Sequence, residues 1–360
     1  MSSEEPFCGA ALMQVYSYYL SNIQGTIDVL ICIIGVIFNI FNILVFTKRN
    51  VVSPVNLIFT HLSFVNLSQL IAFITFTWIT LPYYRNQKND EEWTYTRAII
   101  SLLSGELVAI CNRISVHIVM MLTIWKCIAV FYPSKEPQWC NMKTTRNTLV
   151  VGYIVCILLF IPEYLSHSIV TEEIDQTTKI YFYAFEITSS IYQASQIIRL
   201  VLYELFPSLV LPIVGVRLIA TLWMKKGHPS TRTSSNVENS RENQKMEQKT
   251  DRSIIISIAI MTLCLSYVLP SGLLNFVYTF LTSDRYLIHF RCFHGLIVVR
   301  IIMNCINKSA TFLVYYAIDQ DFKATFKSLF DKNNASFWKL KYVPLRSARG
   351  NDESLEIDRT

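Results

Sequence analysis

The chain has 360 residues, of which 52% are hydrophobic and only 16% charged, with a formal net charge of +6 and a mean hydropathy of +0.36. That is too apolar and too poor in charge for an ordinary soluble domain, so a membrane protein is expected. Basic loops at a membrane surface account for the excess of Lys and Arg more simply than nucleic acid does, and nucleic acid is not expected as a partner.

A bilayer core of about 30 Å needs roughly 20 apolar residues per helix. The first segment in chain order is a tail, residues 1–22, in which Ser3, Glu4, Glu5 and Pro6 precede no apolar run. No cleavable signal is read there, and the first span is expected to anchor itself. Seven apolar runs follow, Gly25 to Thr47, Asn56 to Leu81, Ala98 to Trp125, Leu149 to Leu165, Ile197 to Met224, Ser253 to Leu281 and Phe293 to Ala317. They define a seven-span unit over residues 23–317. Between the fifth and sixth runs, Lys225 to Arg252 is polar and lacks apolar periodicity, which predicts a flexible loop. Beyond the seventh, Phe322, Phe326, Leu329 and Phe330 recur at helical spacing among lysines, which predicts an amphipathic helix on the membrane over 318–330. The tail 331–360 completes the chain. The expected fold class is an all-α membrane protein, a seven-transmembrane-helix bundle with an amphipathic cytoplasmic helix.

Lys and Arg near span ends prefer the cytosol. Lys48, Arg49, Lys126, Lys135, Lys143, Arg146 and the basic run from Lys225 to Arg252 sort to one side of the seven spans. Glu4 and Glu5 fall on the other, where cations are dispersed among acids. The N-terminus is therefore expected outside, in a multi-pass plasma-membrane protein with lipid as its surroundings. The nine cysteines are scattered with no metal spacing, so no metal or cofactor is expected. No paired aspartates or Ser/His dyad stands at helix depth, so no enzyme is expected.

Charges inside a bilayer are costly and are functional candidates by default. Glu106 and Arg113 are seven residues apart on one face of the third span, with His117 a turn further in. An internal ion pair that orients helices and a ligand-binding role are both open for them. Glu204, three residues before Pro207, and Arg300 on the seventh span complete the candidate ligand set. Lys308 and Arg217 are expected to snorkel or pair locally. Pro162, Pro207, Pro212 and Pro270 permit kinks that open a cavity, a device transporters share. Trp78, Tyr83, Tyr84, Trp93, Tyr181, Tyr183, Tyr278 and Tyr286 suit an interfacial belt, or a ligand rim.

Several stretches resemble rhodopsin-like G-protein-coupled receptors, and within them the FMRFamide and myosuppressin receptor branch with its nematode Srw-type relatives. They are GVIFNIFNILVFTKRN with SPVNLIFTHLSFVNL, then Trp125-Lys126-Cys127-Ile128-Ala129-Val130 with Pro133, and Phe206-Pro207. Asp251-Arg252-Ser253, Leu269-Pro270-Ser271-Gly272, Asn307, Thr311-Phe312-Leu313-Val314-Tyr315 and Asp321-Phe322-Lys323 continue the series in order. The resemblance implies an outer cavity for an extracellular amidated neuropeptide, coupling to a heterotrimeric G protein, and arrestin as a further partner. It also implies switching roles for Asn66, Lys126, Pro270, Asn307, Thr311 and Tyr315. A divergent small-molecule chemoreceptor is the alternative, and a seven-span channel or transporter a more distant one.

The departures from that pattern fall at its switch positions. Asn66 stands for an aspartate and Thr311 for an asparagine or aspartate, which implies a weak sodium site. Trp125-Lys126-Cys127 replaces the Asp-Arg-Tyr type of motif and keeps a cation without its planar fork. Val268 stands where relatives carry Trp or Glu. The segment Ser166 to Arg199 has no cysteine, so the family's bridge from the third helix, near Ser101, cannot form and the outer loop is left mobile. The expected topology puts Cys8 and Cys292 outside, where an oxidising route predicts a disulfide between them.

Overall fold

The computed structural model describes residues 25–48, 53–85, 94–165, 167–173, 179–185, 190–227, 237–281 and 286–330. Seven helices are long and apolar enough to cross a bilayer. The first three spans are α1 (Gly25–Lys48), α2 (Pro54–Arg85) and α3 (Tyr95–Phe131). A short α4 (Glu136–Trp139) precedes the fourth span, α5 (Met142–Leu165). The fifth span joins α6 (Ser190–Arg199) to α7 (Phe206–Gly227) through a π-helical turn, Leu200–Leu205. The sixth is α8 (Val237–Leu281), the seventh α9 (Tyr286–Ile318), and α10 (Gln320–Ser328) follows.

The helices bury an apolar core threaded by polar side chains, and unlike a soluble bundle they are apolar on the outside as well. On α1, Asp28, Cys32, Gly35, Asn39 and Asn42 are buried at alternating steps of four and three, a single helix face. Ile27, Leu30, Ile33, Ile34, Ile37 and Ile40 point outward. On α5, Gly152, Cys156 and Glu163 are buried while Val150, Val151, Ile154 and Leu158 are exposed. Exposed aliphatic stripes that run the length of a helix have no solvent but lipid, and helices satisfy their backbone internally as lipid demands. Polar side chains then join helix to helix. Asn39 Nδ2 donates to Gly35 O at 2.8 Å and to Lys308 O at 3.0 Å, tying α1 to α9. Gly35 permits that approach, because a Cβ there would collide with the Ser309 hydroxyl and Leu70.

Two elements differ from the sequence expectation. The predicted loop Lys225 to Arg252 is helical from Val237 onward, as the start of a 45-residue helix. At 1.5 Å per residue that helix is about 68 Å long, so it outruns the bilayer. Apolar periodicity is not needed where a helix stands in water. The sequence there is rich in helix-forming Glu, Gln, Lys and Met and has no Gly or Pro before Pro270, which suits a helix without an apolar stripe. The loop expected to be mobile contains a hairpin, β1 (His167–Glu173) against β2 (Lys179–Phe185), in register from His167↔Phe185 to Glu173↔Lys179. A ladder satisfies that backbone without a covalent bridge.

Helix α10 is capped by Asp319, whose Oδ1 accepts from Asp321 N at 3.0 Å and Phe322 N at 3.1 Å. Its apolar face does more than lie on lipid. Phe322 is fully buried among Phe46, Phe312 and Tyr315, and Phe326 packs edge-on against Phe41 and Phe312.

Candidate functional site

A cavity of about 320 Å³ opens between the third, fifth, sixth and seventh spans toward the hairpin end of the bundle. Its lining includes Glu106, Asn112, Arg113, Glu163, Arg199, Glu204, Asn275, Arg300 and Asn304, with Phe73, Phe76, Tyr203 and Tyr267 among the aromatic walls. The backbone around it is built for inward carboxylates. Pro207 has no N–H, and just ahead of it the fifth span loosens into the π-helical turn, which carries Glu204 to a buried position. Gly272 on α8 admits it closely, because a Cβ there would stand 3.3 Å from Glu204 Cβ.

The charged groups divide into two sets. Arg113 forms a buried ion pair with Glu163 Oε2, and Arg199 reaches Glu163 Oε1 at 3.5 Å. The Arg113 guanidinium also lies over the Phe160 ring at 4.7 Å and the Tyr203 ring at 5.8 Å. This set joins spans three, four and five. Across the cavity, Glu204 Oε1 accepts from the Asn275 amide and from Ser271 Oγ at 3.3 Å. Glu204 Oε2 is buried without a donor. Asn112 Nδ2 donates to the Tyr267 hydroxyl at 3.0 Å, while Asn112 Oδ1 and Asn304 Oδ1 also lack donors.

Four of the five ligand candidates, Glu106, Arg113, Glu204 and Arg300, share this cavity. The partner of Arg113 is Glu163 on another span, although Glu106 shares its helix face. His117 is not in the lining. It packs where a Cβ on Gly152 would sit, against the fourth span.

A second polar cluster lies deeper. Lys308 is 3% exposed and its Nζ donates to Ser115 Oγ at 2.8 Å, and Ser115 Oγ donates to Asn66 Oδ1 at 3.1 Å. Asn42 Nδ2 donates to Thr311 Oγ1 at 3.5 Å in the same core. Of the two courses expected for Lys308 and Arg217, snorkelling or pairing, Lys308 takes the second and does so inside the bundle, whereas Arg217 is exposed on α7. Its helix face decides the difference: Lys308 is one residue past Asn307 and turned to the bundle axis.

Of the other switch candidates, Lys126 and Tyr315 lie toward the α10 end, whereas Pro270 stands between the cavity-lining Val268 and Ser271. Lys126 is buried and its Nζ donates to Ser253 Oγ at 2.6 Å, joining spans three and six. Tyr315 is enclosed by the Phe46 and Phe59 rings at 4.9 Å each. Asn307 is buried, and Pro270 is on the exposed side of α8. Of the aromatic set, Trp78 is 75% exposed, as a belt residue is, and the side chains of the rest lie outside those described. Cys8 and the Cys292 side chain also lie outside the described residues.

Sequence reasoning missed Glu163 and Arg199. Both signals were present: Glu163 follows Pro162 within the expected fourth span, and Arg199 stands inside the expected fifth.

Comparison with known proteins fits this architecture. Over 181 residues, 48% of this chain, it is 22% identical to the G-protein coupled receptor dmsr-1 of Caenorhabditis elegans. The match covers 34% of that protein's length. The sequence profile of the serpentine-type 7TM GPCR chemoreceptors, Srw, matches residues 26–333. A match over that much of the chain fixes its family: this protein belongs to the Srw class of seven-transmembrane G-protein-coupled chemoreceptors.

Proposed function

We propose that this chain is a plasma-membrane receptor, hairpin end and N-terminus outside, whose cavity takes an amidated peptide of the FMRFamide class. The bundle then passes the signal to a heterotrimeric G protein, with arrestin as a further partner. In this reading residues 1–22 are the outer tail, 23–317 the receptor unit, 318–330 the cytoplasmic helix and 331–360 the inner tail. Glu204 is the observation that carries it. A carboxylate oxygen buried without a donor is costly, and a ligand N–H or cation removes the cost. Glu106 lines the same cavity and supplies a second acid for a basic peptide. A ligand that fits one helix arrangement better than another shifts their populations.

The alternative, a small-molecule chemoreceptor, is favoured by the cavity's size, because about 320 Å³ is at the small end of ligand sites. A panel of amidated peptides and small volatile and polar compounds, applied to cells reporting calcium, cyclic AMP and arrestin recruitment, separates the two. Activation by an amidated peptide supports the proposal. Activation by small compounds alone replaces it with the alternative.

A further inference from the structure

Cys32 on α1 and Cys305 on α9 meet inside the bundle, where the Cys32 thiol donates to Cys305 Sγ at 3.5 Å. The two are 273 residues apart in the chain and are 0% and 3% exposed. No disulfide joins the described cysteines. Rigid helices hold this pair, and the same seam is tight on either side of it. Ser309 Oγ lies 3.2 Å from Ile31 O, and Asn39 Nδ2 donates to Lys308 O at 3.0 Å. A Cβ on Gly35 would stand 2.1 Å from Ser309 Oγ. A disulfide needs Cα atoms about 4.4–6.8 Å apart, a separation that side-chain contacts reaching the opposite backbone favour. Closing the sulfurs from 3.5 Å to a bond of about 2.05 Å takes a shift of about 1.5 Å.

The pair is also one layer behind the cavity. Phe73 and Ile301 pack against the cluster of Cys32, Leu70 and Cys305, and both line the cavity. Asn304, the residue before Cys305, lines it too. A neutral molecule the size of water that enters the cavity has only this layer of side chains to cross.

We propose that Cys32 and Cys305 are a site of reversible oxidation, where hydrogen peroxide converts the thiol pair to a disulfide that ties the first span to the seventh behind the cavity wall. One thiol attacks a peroxide oxygen, the O–O bond breaks, and a sulfenic acid and a water result. The second thiol attacks the sulfenic sulfur, the S–S bond forms, and the sulfenic hydroxyl leaves with the thiol proton as a second water. Two thiols and one peroxide thus give one disulfide and two waters, with two electrons passing from the sulfurs to the peroxide oxygens. The thiolate is the nucleophile and a buried thiol reacts slowly, so the site answers to sustained peroxide rather than to a brief pulse. The second step is fast, because the partner sulfur is already in contact. Capture by that partner stops the sulfur at the reversible rung, before the sulfinic acid. The bond fixes α9, which carries Arg300, Ile301 and Asn304 of the cavity wall, against α1.

The test exposes folded, purified full-length receptor to millimolar hydrogen peroxide for times from minutes to hours. Each sample is quenched, unfolded, alkylated and mapped by mass without reduction. A linked peptide pair holding Cys32 and Cys305 is expected to grow with time until it accounts for most of the receptor. Over the same period the buried thiols of Cys111, Cys156 and Cys264 should stay alkylatable after unfolding. Dithiothreitol, itself oxidised to a cyclic disulfide, should restore both thiols. Cys32→Ser and Cys305→Ser should each abolish the linked pair. Both thiols still alkylatable after hours in peroxide would overturn the proposal. So would sulfinic or sulfonic acid in place of the link, or a link from either residue to a different cysteine. Should the variants fail to fold, the time course of the wild type alone decides.

Discussion

The Lys308 ammonium donates to Ser115 Oγ at 2.8 Å, and through Ser115 it is linked to Asn66, so one cation joins the seventh, third and second spans. Among the described residues no carboxylate forms an ion pair with it, and its partner is the neutral Ser115 hydroxyl. A cation held in a bundle interior by neutral partners loses hydration that no counter-charge returns. Lys308→Met keeps most of the volume and leaves the Ser115 to Asn66 bond in place. The expected result is a gain in stability of about 1–4 kcal/mol, read as a higher thermal unfolding midpoint of purified receptor. A lower midpoint would show that the ammonium holds the three spans together more strongly than its burial opposes them.

Lys308 also marks where sequence reasoning reached its limit. Position along a span gives depth, and depth alone grouped Lys308 with Arg217 as cations that snorkel or pair locally. Rotation about the helix axis separates them, and it depends on which neighbours pack where. The seven spans were legible because bilayer thickness fixes helix length. Arg113 was legible as an in-span charge, but its partner Glu163 is 50 residues away on another helix, beyond the reach of face periodicity. The α8 extension escaped for a related reason. Apolar period reports burial, and a helix projecting from the membrane has nothing to bury.

Glu163 is expected to be structural. It is shared by Arg113 and Arg199, so Glu163→Gln leaves two guanidiniums beside a neutral amide. Breaking one side of a buried pair costs about 3–5 kcal/mol, and surface expression and unfolding midpoint should both fall. Adding Arg113→Gln should restore part of the loss. If the single variant is as stable as the wild type, the pair contributes nothing to the fold.

Lys126 and Ser253 hold the third and sixth spans together at the α10 end. The resemblance gives a switching role to Lys126, and separating these spans requires this bond to break. Ser253→Ala removes a hydrogen bond to a charged group, about 1.5–3 kcal/mol, and should raise agonist-free signalling roughly tenfold or more. Lys126→Arg should raise agonist-driven signalling and Lys126→Ala abolish it. Equal signalling by all of these forms would remove Lys126 from the switch.

The proposed orientation puts the N-terminal tail and Cys8 in an oxidising space with Cys292. A tag at the N-terminus should stain on intact cells, and one at the C-terminus only after permeabilisation. Mass mapping of unreduced, surface-expressed receptor should find Cys8 joined to Cys292, a bond that needs Cα atoms about 4.4–6.8 Å apart. Alkylatable thiols at both positions would remove the bridge while leaving the topology intact.

His117 is expected to act through packing rather than ligand contact. Its ring fills the space beside Gly152, where an added Cβ would overlap the imidazole, so spans three and four meet closely only because residue 152 is glycine. Gly152→Ala should therefore overpack the contact and cost about 1–3 kcal/mol, even though alanine is the better helix former. His117→Ala removes the obstructing ring and leaves room for the added methyl. The double variant should consequently be less destabilised than the sum of the two singles, a coupling of about 0.5–3 kcal/mol between contacting residues. Thermal unfolding of the wild type, the two singles and the double gives the full cycle. Agonist potency measured on His117→Ala separates the two roles open to this residue. Potency within a few-fold of wild type, with strong coupling to Gly152, makes His117 a spacer between helices. A large loss of potency with no coupling would return it to the ligand site.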